Sequence, residues 1–240
     1  MTSSRQKENI TPTDIIILLD SSGSMTIMGN EPIQSANDFI KNQQQNNQDN
    51  SSLTLVSFSS YLTEIINDKP LQEVKEISYD EYRPDGTTSL NDAVCTIISD
   101  RIYSEKTNDV IFLIITDGIE NSSMDYSRED TKKYIDLAQK KYNWDILFMG
   151  ANIDAFEEGK TLNINSSNCS QFDQQCPGDL LSMMRTTSER ITHYKRAKTD
   201  GHENNVLTMP LQSTKSEPVY KTYSHPICNF SLPTLIRSRS

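Results

Sequence analysis

The run Ile15-Ile16-Ile17-Leu18-Leu19 is the strongest constraint on what this chain can become. Five large aliphatic residues in succession leave no polar face, so a strand built from them has to be covered on both sides. Directly after it comes Asp20-Ser21-Ser22-Gly23-Ser24, which places oxygen side chains at i, i+2 and i+4 on the strand's carboxyl end. In open α/β sheets ligands collect in the crevice outside those ends. Hydroxyl and carboxylate oxygens suit Mg2+ or Mn2+ rather than Zn2+. Taken alone, Asp20, Ser22 and Ser24 serve equally well as helix caps.

The remainder of the pattern alternates strands with helices. Apolar positions Ile33, Ala36, Phe39 and Ile40 fall at helical spacing and predict a helix over 31–45, with the polar tract 43–50 as a solvated helix end and loop. Alternation predicts a strand over 52–59 and a paired one over 62–66. Ala93, Val94, Ile97, Ile98 and Ile102 mark a helix over 90–102, and residues 110–115 form a second buried strand. Ser127 stands three residues before Asp130 in the form of a capping box, opening a helix to about 141. A strand over 145–149, a short helix over 154–160 and a helix over 178–195 follow. Strands and helices at this interval predict βαβ units: an α/β fold with a doubly wound, mainly parallel central sheet flanked by helices on both faces. Residues 1–12 read as a flexible N-terminus, 13–198 as the domain, and 199–240 as an irregular extension. Its apolar clusters at 219–223 and 232–236 suit either a docking tail or an edge strand.

Two further segments carry chemistry that matches the first. Pro84-Asp85-Gly86-Thr87-Thr88-Ser89-Leu90-Asn91-Asp92-Ala93 precedes a helix, and Thr116-Asp117-Gly118 follows the second buried strand. DxSxS, then a GxT-type loop, then TDG, in that order and at that spacing, resembles the metal-ion-dependent adhesion site of von Willebrand factor A (VWA) domains. The resemblance runs from about residue 14 to 150. The stretch Gly118-Ile119-Glu120-Asn121-Ser122-Ser123 is similar to intracellular microbial or viral-type members. The resemblance implies a Rossmann-like VWA fold in which Ser22, Ser24 and Thr88 bind Mg2+ or Mn2+ through hydroxyls. Asp20 and Asp117 would then act mostly through bound water. Thr88 is the implied third hydroxyl, with the adjacent Thr87 also within reach. Gly23 permits the tight turn and Gly118 lets the chain leave Asp117. Asp85, Glu120 and Asn121 lie on loops at the same edge, where a partner surface would border the site.

Composition excludes several other classes. At 240 residues the chain holds one substantial core plus extensions. A net charge of -10 disfavours a nucleic-acid partner, because phosphate binding draws on clustered Lys and Arg. No apolar run approaches the roughly 18 residues of a membrane helix, and the polar first nine residues lack a secretory apolar region, so the expected location is cytoplasmic. Cys95, Cys169, Cys176 and Cys228 are scattered without metal-type spacing and read as free thiols. Sequons at Asn121, Asn165 and Asn168 are expected by chance in so Asn-rich a chain. His193, His202 and His225 stand near no nucleophile, and Trp144 reads as a packing residue.

The resemblance implies a binding module rather than an enzyme: few direct anionic ligands leave the ion able to recruit an Asp or Glu from a partner protein, scaffolding or regulating an assembly. A doubly wound sheet with Mg2+ at a strand end also serves phosphoryl transfer and hydrolysis. Such enzymes commonly place a second carboxylate two residues after the first, where this chain has Ser22. In a third reading the tail, rather than the metal face, makes the contacts.

Overall fold

A computed structural model describes residues 12–46, 50–199 and 207. Six strands form one sheet: β1 (Thr13–Asp20), β2 (Ser52–Phe58), β3 (Leu62–Pro70), β4 (Asp109–Thr116), β5 (Asp145–Gly150) and β6 (Cys169–Gln171). Their order is β3-β2-β1-β4-β5-β6. Only the β2/β3 pair is antiparallel. Five α-helices accompany them: α1 (Glu31–Asn46), α2 (Leu90–Tyr103), α3 (Arg128–Tyr142), α4 (Ala155–Thr161) and α5 (Asp179–Thr199).

The unbroken aliphatic runs do what their composition demands. Ile15, Ile17 and Leu19 of β1, with Ile111, Leu113 and Ile115 of β4, pack in one layer with Phe39 of α1 and Ile191 of α5. Ile16 and Leu18, with Phe112 and Ile114, pack in the other with Val94 of α2, Ile135 of α3 and Ala155 of α4. The sheet is therefore covered on both faces and wound in both directions, as expected. Trp144 meets Phe112 edge to face at 6.2 Å between ring centroids and is a core residue.

Several local features differ from the sequence reading. Gln43 is buried rather than solvated, because its amide donates to the Ser188 carbonyl and hydroxyl, both at 2.8 Å, pinning α1 to α5. Gln44 donates to the Leu71 and Val74 carbonyls. The third strand runs four residues further than its apolar pattern, through register shifts beside Leu55 and a positive φ of 42° at Asp68. The three residues of β6 are too few to leave a periodic signal. Cys95 and Cys169 are free thiols, and His193 lies exposed on α5. Cys228, His202, His225 and both apolar clusters of the extension fall outside the described residues.

Leu207 has no exposed surface and joins the core layer beneath α5, and its carbonyl accepts from the Arg190 guanidinium at 2.9 Å. Chain beyond α5 thus contributes to the core. Leu207→Ala should cost about 2 to 4 kcal/mol in urea unfolding. An unchanged midpoint would show that this contact contributes no stability.

Candidate metal centre

β1 and β4 are neighbours, yet the chain leaves them in opposite directions, toward β2 and toward β5. This reversal opens a crevice at their carboxyl ends. Leu19 is paired with Ile115, so Asp20 and Thr116 end the two strands side by side. The Asp20 carboxylate has no exposed surface. It accepts from the Thr116 hydroxyl at 2.6 Å and from the Ser22 amide at 2.7 Å. Tyr82, which is buried, donates its hydroxyl to the Asp20 carbonyl at 2.5 Å. Burial outweighs the two hydrogen bonds and raises the Asp20 pKa to about 6, with the neighbouring Asp117 charge adding to the rise.

From Asp20 the chain turns sharply. Ser21 is fixed to the end of β2, its amide and hydroxyl both donating to the Phe58 carbonyl. The Gly23 amide donates to the Gly86 carbonyl at 3.1 Å, and a Cβ on Gly23 would lie 3.4 Å from that oxygen, so the two loops run in close contact. Met25 and Met28, both buried, then draw a short 3-10 helix (Gly23–Met28) into the core. The Ser22 and Ser24 hydroxyls stand 3.1 Å apart, and Ser24 donates to Oδ1 of Asp117 at 2.7 Å.

Thr88 and Thr87 are separated by what they face. The Thr87 hydroxyl is taken by Ser60 Oγ at 2.8 Å, at the exposed β2–β3 turn. Thr88 is buried, and its hydroxyl lies 3.4 Å from where a Cβ on Gly118 would sit, beside Asp117. Asp20, Ser22, Ser24 and Asp117 are thus joined through direct hydrogen bonds to one another or to a shared neighbour, with Thr88 against the glycine that follows Asp117.

Asp117 is itself buried, its pKa raised chiefly by desolvation, and its Oδ2 has no hydrogen-bond partner. An orphaned buried carboxylate oxygen costs about 1 to 3 kcal/mol or more. A cation in the crevice would satisfy it. Among the described residues no group of three His, Cys, Asp or Glu side chains could hold a metal ion. The convergent donors here are instead two carboxylates and three hydroxyls, all oxygen, which fits a hard divalent ion of the Mg2+ or Mn2+ type.

Two residues of the site, Tyr82 and Ser60, carry no motif of their own and are bound to it by contacts remote in sequence. Of the loop residues expected to border a partner, Asp85 is exposed. Asn121 is exposed too and Glu120 half-buried, and their side-chain oxygens bond back to the loops, onto Asn91, Ser122 and Ser123 for Glu120 and onto Thr88 for Asn121. The spacing Glu120 to Ser123 is a turn-closing pattern and was the one available signal.

A family model for the von Willebrand factor type A domain matches residues 14–175. A search of curated protein sequences finds no match. Among solved structures, the pilus adhesin SpaC of Lactobacillus rhamnosus GG, in its open conformation, superposes with a TM-score of 0.61 at 14% identity, over 78% of this chain and 30% of that one. The PilB minor pilin of Streptococcus sanguinis gives 0.56 at 13% identity, over 77% and 62%. Proximal thread matrix protein 1 of the mussel byssus, with a zinc-occupied MIDAS motif, gives 0.54 at 18% identity, over 78% and 47%. This chain spans less than two thirds of the length of each, and at these identities the likeness is one of fold.

Burial of Asp20 has a measurable consequence for metal-free protein. Its folded pKa of about 6 lies above the ordinary 3.8, so between those values the folded state holds the extra proton. Stability from this group is therefore full below about pH 4 and lost as pH rises through 6, by about 3 kcal/mol at most. Asp20→Asn should stabilise the metal-free chain at pH 7 and flatten this dependence in denaturant titrations. An Asp20→Asn protein no more stable than the parent at pH 7 would contradict the desolvation argument.

Proposed function

The chain belongs to the von Willebrand factor type A domain family, and from that membership and the crevice geometry we propose that it is a metal-dependent protein-binding module. Its adhesion-type site would capture a carboxylate of another protein. The observation that carries the reading is the orphaned Oδ2 of Asp117, buried in a crevice where Ser24 donates to its other oxygen, Ser22 stands beside Ser24, and the Thr88 hydroxyl lies against Gly118.

In this reading those three hydroxyls hold Mg2+ or Mn2+ directly, and Asp20 and Asp117 supply charge mostly through bound water. Ser24 donates its proton to Asp117, which leaves its oxygen lone pairs for the cation. Asp20 has one hydrogen bond on each oxygen and retains further acceptor capacity for water. When bound, the ion offers an open coordination position to an Asp or Glu of the partner. Neutral hydroxyls leave it more residual charge than a carboxylate cage would. The zinc-occupied motif of the mussel protein supports a divalent ion on this fold.

Adhesin and matrix-protein neighbours support binding, rather than turnover, as the task. Ser22 stands where a phosphoryl-transfer site of this kind would place a second carboxylate. The free thiols of Cys95 and Cys169 suit a reducing compartment, which fits a cytoplasmic module that scaffolds or regulates a protein assembly. Among the described residues no helix is long and apolar enough to cross a membrane.

Calorimetric titration with Mg2+ and Mn2+ should find one site on the unaltered chain and none in Asp20→Ala or Ser22→Ala, with circular dichroism unchanged. Affinity capture with tagged chain should retain a partner in Mg2+ and lose it both in EDTA and with Thr88→Ala. Undiminished metal binding by both the Asp20 and Ser22 variants would sink the site assignment. Capture of the same proteins under all three conditions would place the binding surface elsewhere.

A further inference from the structure

The stretch Glu120-Asn121-Ser122-Ser123 lies beyond the three metal loops and plays no part in the reading above, yet it is bonded to the Thr88 loop and to the start of α2. Asn121 meets Thr88 twice: the Thr88 amide donates to Asn121 Oδ1 and the Asn121 amide donates to the Thr88 carbonyl, each at 3.0 Å. The Asn side chain stands where a strand neighbour's carbonyl would stand. Both peptide planes flanking the Thr88 Cα are thereby fixed, and with them the direction of its Cβ. The rest of the loop is tied to Ser21, Gly23, Ser59 and Ser60, but those bonds are made by Asp85, Gly86, Thr87 and Ser89 rather than by Thr88.

The clasp is itself anchored. Glu120 accepts from the Asn91 amide at 2.8 Å, from the Ser122 and Ser123 amides at 2.8 and 2.7 Å, and from the Ser123 hydroxyl at 2.6 Å. The Asp92 carboxylate answers from the first turn of α2, accepting from the amides of Met124, Asp125 and Tyr126. The Asp92 amide donates to Ser123 Oγ. Loop and helix start cap one another, and the two ends of this reciprocal cap lie next to Thr88 and Asp117.

We infer that Asn121 is a positioning residue for the metal centre, orienting Thr88 toward Gly118 and Asp117, with Glu120 and Asp92 holding Asn121 in place. The inference rests on the metal-binding reading of the site. Outer partners that orient metal ligands typically contribute about 10- to 100-fold in affinity.

Mn2+ affinity by calorimetry, and exchange of the Thr88 amide by NMR on metal-free protein, test it together. Asn121→Ala should weaken Mn2+ binding about tenfold and speed Thr88 amide exchange, while the melting temperature of the metal-free chain stays within a few degrees. Asn121→Asp keeps the acceptor and should restore both. Asn121→Ala combined with Ile119→Asp adds a charge to the same loop, at an exposed position, without the acceptor, and should restore neither. Recovery in that double variant would assign the effect to charge and overturn the inference. So would Mn2+ affinity of Asn121→Ala within about twofold of the parent, or a Thr88 amide unprotected in the parent. The last two outcomes leave the metal reading standing, whereas absence of Mn2+ binding by the parent removes that reading and this inference with it.

Discussion

The hydrogen bond from Thr116 to Asp20 is the point on which this architecture turns. It joins the ends of β1 and β4, the one adjacent pair of strands that the chain leaves in opposite directions. A carboxylate with no exposed surface is an expensive way to end a strand. Here the expense is concentrated where the crevice opens, and every loop that lines the crevice is tied to this pair or to its neighbours. Ser22 caps the carboxylate from its own loop, Tyr82 holds the carbonyl behind it, and Thr116 bonds onward to Gly118.

A second carboxylate beside the first compounds the cost. Asp117 adds to the rise in the Asp20 pKa, and its own Oδ2 is left without a partner. Two buried acids close enough to raise one another's cost make a site that is poorly satisfied in the protein alone. A polar cluster whose only unmet demand is for positive charge is pre-organised for a cation: desolvation and ordering are met on folding, before any ion arrives. In the proposed reading, stability given up along β1 and β4 is the source of the affinity at their ends.

Much of this was legible in the sequence because the decisive residues are local to strand ends. An aliphatic run with no polar face can only be a covered strand, and Asp20 and Asp117 follow two such runs directly. The five candidate residues come from three short segments, and the fold brings those segments to one crevice. What sequence could not show was direction. Gln43 looks like solvated helix end until α5 is seen to cover it. Glu120 and Asn121 are rim residues, and their bonds to Asn91 and Thr88, some thirty residues away in sequence, leave no mark in the sequence. Thr87 and Thr88 are equivalent as letters; the resemblance favours Thr88, and in the fold Thr88 is buried against Gly118 while Thr87 bonds to the Ser60 hydroxyl at the β2–β3 turn. A short β6 and a single buried Leu207 leave no period to read at all.

The choice of hydroxyls over carboxylates also bears on what such a site can recruit. At a net charge of -10, the chain presents a repulsive field to an acidic partner at long range. At physiological ionic strength that field is screened over about 8 Å, so its reach is short and the decisive term is local. A cage of several carboxylates would neutralise a divalent ion and leave the approaching Asp or Glu facing only the repulsion. In the proposed reading three neutral hydroxyls would hold the same ion and the two acids would act from behind water, so less of its charge would be cancelled at the open position. With the ion bound, the crevice would locally offset the negative charge carried by the chain as a whole. A partner carboxylate would be attracted only where the ion is, which makes the attraction specific to one spot on an otherwise repelling surface.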